Sequence, residues 1–121
     1  MRKRMELIKA DVVDANGDLF PREVLERAVA AAKLPLPVSR RFSHMLEDAQ
    51  GQITGLSMEG SVVMADVELW NTPVASMIGP DFELAFGGRC DIVEPGADGV
   101  RRLTNVEIVM GSLVPPGSKT K

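Results

Sequence analysis

Residues 21–32 carry the one sustained helical repeat of apolar side chains in the chain, and most of the remaining sequence is cut too short by turn residues to make another. Val24, Leu25, Ala28, Val29 and Ala32 fall at i, i+1, i+4, i+5 and i+8, which places one apolar stripe on an amphipathic helix. Arg22, Glu23, Glu26 and Arg27 cover the other face. Pro21 suits the first helical position, where its missing N–H would have had no intrahelical partner. Pro35 and Pro37 end the element.

Around this helix the pattern is that of strands and turns. Met5 to Val13 reads as a first strand, with Leu7, Ile8, Val12 and Val13 available for burial. Asp14-Ala15-Asn16-Gly17-Asp18 is a turn of the Asn-Gly type. It has the flavour of a calcium loop, but its Gly comes too early and no acidic twelfth ligand is present. Val38 to His44 reads as extended. Gly51 to Met58 and Ser61 to Trp70 read as a hairpin turning near Glu59-Gly60. In its second arm Val63, Ala65, Val67 and Leu69 alternate with Met64, Asp66 and Glu68, the period of a half-buried strand. Thr72 to Ile78 can form a short helix capped by Asn71 or Thr72. Phe82, Leu84 and Phe86 define another strand, and Val93 to Gly99 is a loop leading into Val100 to Val114. The expected fold is α+β: a mostly antiparallel sheet or small barrel with one main amphipathic helix. Residues 1–114 are expected to form a single domain with a short basic N-terminal arm (Arg2, Lys3, Arg4). Residues 115–121 form a tail that only a partner would order.

Composition narrows the function. With 45% apolar residues in 121, the chain can bury a core without disulfides or metal. A net charge of −3 gives no general reason to expect nucleic-acid binding. One cysteine cannot make an internal disulfide, which fits a reducing compartment. The N-terminus lacks the apolar run of a signal peptide, and no segment is long enough to span a bilayer, so a soluble intracellular product is expected. One His and one Cys are too few for the common zinc sets, and Gly87-Gly88 does not approach a phosphate-binding loop. No cofactor and no metal are expected.

Nucleophilic catalysis is the enzyme class left to weigh. His44 is a possible general base, and Ser39, Ser43, Ser57, Ser61, Ser76, Ser112 and Ser118 are the available hydroxyls. None stands in a context that marks it as activated. Cys90 is most simply a small buried residue.

The order of segments nevertheless resembles a family. Asn16-Gly17-Asp18-Leu19-Phe20-Pro21-Arg22-Glu23-Val24-Leu25-Glu26-Arg27-Ala28 resembles the opening motif of the tailed-phage prohead maturation proteases, which share a fold with the herpesvirus assemblins. Phe42-Ser43-His44 falls where the family's catalytic histidine stands. Gly51 to Leu56 resembles the next strand, with Val63 to Leu69 and Asn71-Thr72-Pro73 as its partner. Gly99 to Val114, with its late Ser112-Leu113-Val114, resembles the closing strand pair. The resemblance implies a capsid context, and it implies a serine nucleophile near Arg89. Aligned on Arg89, those positions hold Gly87 and Gly88, which have no side chain to attack a carbonyl. Cys90 is the fallback nucleophile; strand alternation sets it on the same face as Gly88.

Three readings are open. The first is a noncatalytic head protein: a capsid decoration or cement protein, carried in the virion, that binds the major capsid protein and forms a homo-oligomer, with no nucleic-acid or membrane partner. The second is an active maturation protease using His44 with Cys90 or a displaced serine. The third is a small intracellular binding domain unrelated to capsids.

Overall fold

The computed structural model describes residues 2–14, 16–40, 49–70, 81–91 and 93–115. In chain order the elements are β1 (Arg2–Lys9), β2 (Asp18–Leu19), α1 (Arg22–Ala31), β3 (Leu36–Arg40), β4 (Ala49–Glu59), β5 (Val62–Leu69), β6 (Glu83–Cys90), β7 (Arg101–Arg102) and β8 (Val106–Val114). Among the described residues one six-stranded sheet runs β1-β5-β4-β3-β8-β6, and a small ribbon pairs β2 with β7. Every pairing in the large sheet is antiparallel except β3–β8, which is parallel. The two edge strands, β1 and β6, approach each other, so the sheet curls into a half-barrel. This is the mostly antiparallel sheet with one helix that the sequence pattern implies.

The alternation in β5 does what its period requires. Val63, Ala65, Val67 and Leu69 are buried on one face, and all four join the core. Gly60, with φ of +62°, makes the turn between β4 and β5 in a conformation that glycine adopts without strain. In β6, Leu84 is fully buried, whereas Phe82 and Phe86 are half-buried and pack against the core from its margin. The Phe86 ring meets Phe20 edge-on, with centroids 5.9 Å apart.

Strand β1 departs from strict alternation, since Met5, Leu7 and Ile8 are all buried. The β1–β5 register skips Leu7, and that bulge turns Leu7 and the following Ile8 both inward. The strand then stops at Lys9, earlier than the sequence pattern implies. Asp11 adopts a left-handed backbone (φ 59°), tolerable for an aspartate, and turns the chain out of the sheet. Val12 and Val13, expected in the core, are left 52% and 48% exposed. The Asp11 carboxylate accepts the Arg22 N–H at 3.2 Å, so the start of α1 is capped from outside its own sequence neighbourhood. Pro21 is accordingly the residue before the first helical turn, its carbonyl accepting from the N–H groups of Val24 and Leu25. Val24, Leu25 and Ala28 form the helix's buried stripe.

The basic N-terminal arm is also corrected. Arg2, Lys3 and Arg4 belong to β1 and pair in register with Glu68, Val67 and Asp66. Arg4 reaches Glu59 at 2.7 Å and Asp66 at 2.8 Å, and its Nη2 donates to Ser57 Oγ at 2.9 Å. Val100 to Val114 holds two strands: β7 pairs in parallel with β2 before β8 begins. The Asn-Gly turn is present, with Asp14 Oδ1 accepting the N–H groups of Asn16 (2.9 Å) and Asp18 (3.0 Å). The short helix expected at 72–78, the extended piece at 41–44 and the tail at 116–121 lie outside the described residues.

Because Leu84 is wholly enclosed while Phe86 is not, truncation should rank them in an order opposite to their size. Leu84→Ala should cost about 2–5 kcal/mol in a denaturant melt, within the range for buried leucines. Phe86→Ala should cost less than Leu84→Ala. The reverse order would mean that the ring of Phe86, and not Leu84, anchors β6.

Candidate functional site

Strand β6 lies at an edge of the sheet and carries Gly87 and Gly88, the positions that the sequence resemblance aligns with a nucleophile. Its ladder with β8 pairs Leu84 with Leu113, Phe86 with Gly111 and Gly87 with Met110, then skips Val109 to pair Gly88 with Ile108. The bulge thus falls opposite the Gly87-Gly88 step. A side chain at either glycine would meet the facing strand, at Gly87 through a side chain and at Gly88 through the backbone. A Cβ on Gly87 would stand 2.5 Å from Met110 Cγ. On Gly88 it would collide with the backbone carbonyl oxygen of Glu107 and lie 2.8 Å from the Phe86 ring. Met110 is flexible and can yield, but a strand carbonyl cannot. The local backbone is built around two glycines.

Beyond them, Arg89 and Cys90 line a groove of about 360 Å³ between α1 and the ends of β6 and β8. Val24, Ala28 and Val106 supply apolar surface, and Arg27, Arg89, Asp91 and Glu107 its charges. Arg89 is largely exposed, 3.7 Å from Glu107, and Arg27 donates to the Thr104 carbonyl at 3.3 Å. Burial pushes the Cys90 thiol above its ordinary pKa, and the carboxylates of Asp18 and Asp91 add to the shift. A nucleophilic cysteine needs the opposite environment, one that favours thiolate.

The serines fare no better. Ser39 and Ser112 sit side by side across the parallel β3–β8 pairing, 1% and 0% exposed. The Ser39 hydroxyl has no hydrogen-bond partner among the described residues. Ser57 accepts from Arg4 on the far side of the sheet, and Ser61 is exposed beside the β4–β5 turn. His44, Ser43, Ser76 and Ser118 lie outside the described residues. Among the described residues no group of three or more His, Cys, Asp or Glu side chains gathers as a metal site, and no helix is long and apolar enough to cross a membrane.

The fold superposes on the bacteriophage T4 capsid assembly protease, gp21, with a TM-score of 0.77. The match covers 93% of this chain and 80% of that one, at 18% sequence identity. The chain has a prohead-protease-like fold. No protein-family model and no curated protein matches it. At this identity the likeness speaks for the fold alone, and the residues have to speak for the chemistry.

Some of the site was outside the reach of sequence reasoning. Arg27 on α1 and Glu107 on β8 stand far apart in the chain, and nothing in their local context joins them. Asp18 and Arg101 are similarly remote. Their ion pair at 2.7 Å, too poorly aligned for a hydrogen bond, holds the β2–β7 ribbon beside Cys90.

Two outcomes are expected. Gly88→Ser should destabilise the fold by about 1–3 kcal/mol, as overpacking does, and by more than Gly87→Ser, whose neighbour is a movable methionine. Chemical denaturation of both variants checks the order; a neutral Gly88→Ser would show that β6 has room for a serine. For Cys90, the rate of alkylation should rise with pH around a midpoint above that of an unperturbed cysteine. A midpoint at or below the ordinary value would restore Cys90 as a nucleophile.

Proposed function

We propose that this chain is a noncatalytic phage head protein, a capsid decoration or cement protein that binds and stabilises the shell of the major capsid protein. The observation that carries the reading is the closed step at Gly87-Gly88. The fold resembles that of a capsid assembly protease, yet where the resemblance calls for an attacking side chain the strand carries two glycines, and at Gly88 the Glu107 carbonyl takes the place of a Cβ. Losing the nucleophile of a catalytic constellation removes most of its rate enhancement, because its members act as a unit. The substitutes are poorly placed: burial pushes the Cys90 thiol above its ordinary pKa, and Ser39 and Ser112 are sealed from solvent.

A protease scaffold that does not cut can still bind what its relatives act on, and a shell of identical subunits rewards repeated modest contacts through effective concentration. On this reading the protein resides in the virion, acts as a homo-oligomer matched to a symmetry position of the shell, and uses residues 115–121 as an extra contact. Arg2 and Arg4 are engaged within the sheet with Glu68, Glu59 and Asp66, which leaves the tail as the stronger candidate for a free arm.

The test is incubation of the purified protein with immature heads, with the mass of the capsid subunits read out, alongside co-sedimentation with mature heads. Uncut subunits and retention on mature heads are expected, with retention weakened by removal of residues 115–121. Cleavage that disappears in a His44→Ala variant would establish the protease reading instead.

A further inference from the structure

Asparagine before glycine is chemically the most exposed dipeptide a chain can carry, because the glycine offers no side chain to hinder attack by its own nitrogen. The chain has three asparagines, Asn16, Asn71 and Asn105, succeeded by Gly17, Thr72 and Val106. Both of the latter neighbours are β-branched and shield their nitrogens. Asn16 is exposed at the surface. We propose that Asn16-Gly17 is a site of spontaneous deamidation, gated by the opening of the β2–β7 ribbon.

The step uses water and the chain's own atoms. The Gly17 amide nitrogen gives up its proton to solvent and attacks Cγ of the Asn16 side chain. The side-chain nitrogen leaves as ammonia, taking a proton from water, and a cyclic succinimide remains. Water then opens the ring at either carbonyl to give aspartate or isoaspartate. One water is consumed and one ammonia released, with no oxidant or reductant.

The folded structure holds the attacking atom back. The Gly17 N–H is engaged by the Asp14 carbonyl at 3.1 Å, and Gly17 itself sits at φ +80°. The Asn16 N–H is held by Asp14 Oδ1 at 2.9 Å. On the other side the Arg101 N–H donates to the Gly17 carbonyl at 2.9 Å, and Arg101 Nη2 to the Asn16 carbonyl at 3.3 Å. Attack therefore requires a local opening that frees Gly17 from these contacts, and the rate tracks the population of that open form.

The product would not close again in the same way. Isoaspartate routes the main chain through the former side chain, adding a carbon between residues 16 and 17. The turn then no longer presents the Gly17 carbonyl to Arg101 in register. The ribbon carries Asp18, which acts on Cys90, and precedes Phe20, which braces Phe86 of β6. Deamidation at Asn16 would thus loosen the support beside the edge strand of the candidate site as the protein ages.

Peptide mapping by mass spectrometry, resolving aspartate from isoaspartate, tests the proposal on the full chain held at neutral pH. Conversion should concentrate at Asn16 and be faster in urea than in the native state by about tenfold or more. Arg101→Gln, which removes one clamp, should lie between the two. An Asn16→Gln variant should show no comparable product. Conversion spread evenly over the three asparagines, or none at Asn16 in urea, would overturn the site. Equal native and urea rates would overturn the gate. Should Arg101→Gln fail to fold, the native protein decides: across a temperature series its rate should track hydrogen exchange at the Gly17 amide, and a rate independent of that exchange would overturn the gating.

Discussion

The sheet consists of two parts that meet at one line, the parallel pairing of β3 with β8, and that junction depends on Gly111. On one side stand β1, β5, β4 and β3; on the other stand β8 and β6. A Cβ on Gly111 would lie 2.7 Å from Leu84 Cδ1 and 3.2 Å from Ile53 Cδ1, so Leu84 of β6 and Ile53 of β4 meet across a position kept empty for them. Both are fully buried, as is Val38, which is in register with Gly111. A parallel pair is buried on both faces more often than an antiparallel one, and here it seats Ser39 and Ser112 out of reach of solvent.

Bulges then decide what each strand presents. The extra residue Leu7 lets β1 bury two consecutive apolar side chains. The extra residue Val109 sets the Gly87-Gly88 step hard against β8. The second has the greater consequence for the candidate site, since the Glu107 carbonyl stands where a side chain on Gly88 would begin. Around it lie a Cys90 thiol whose pKa burial raises, a charged pair at Arg89 and Glu107, and a groove whose character is mixed.

The outer face of β1, β5 and β4 is a solvated ion-pair surface. Arg4 joins Glu59, Asp66 and Ser57, and Arg2 approaches Glu68. Exposed pairs of this kind add little to stability, but they help set the register of an edge strand that would otherwise be free to slip. Basic residues at a chain end read as a tail when their partners lie more than fifty positions away, and here the partners are β4 and β5.

Local pattern alone determined the helix at 22–31, the buried face of β5, the turn at Gly60 and the Asn-Gly turn, because each rests on contacts within a few residues or on a period the backbone imposes. The likeness to the prohead proteases was legible in the order of segments, and so were the glycines at 87 and 88. What those glycines face was not. That the space is filled by Glu107 and Met110, that Asp11 caps a helix eleven residues on, that Asp18 pairs with Arg101, and that the N-terminal basic run is a strand all result from pairings between distant segments. Such pairings depend on register, and register is a property of the assembled sheet; no single strand carries it in its own sequence.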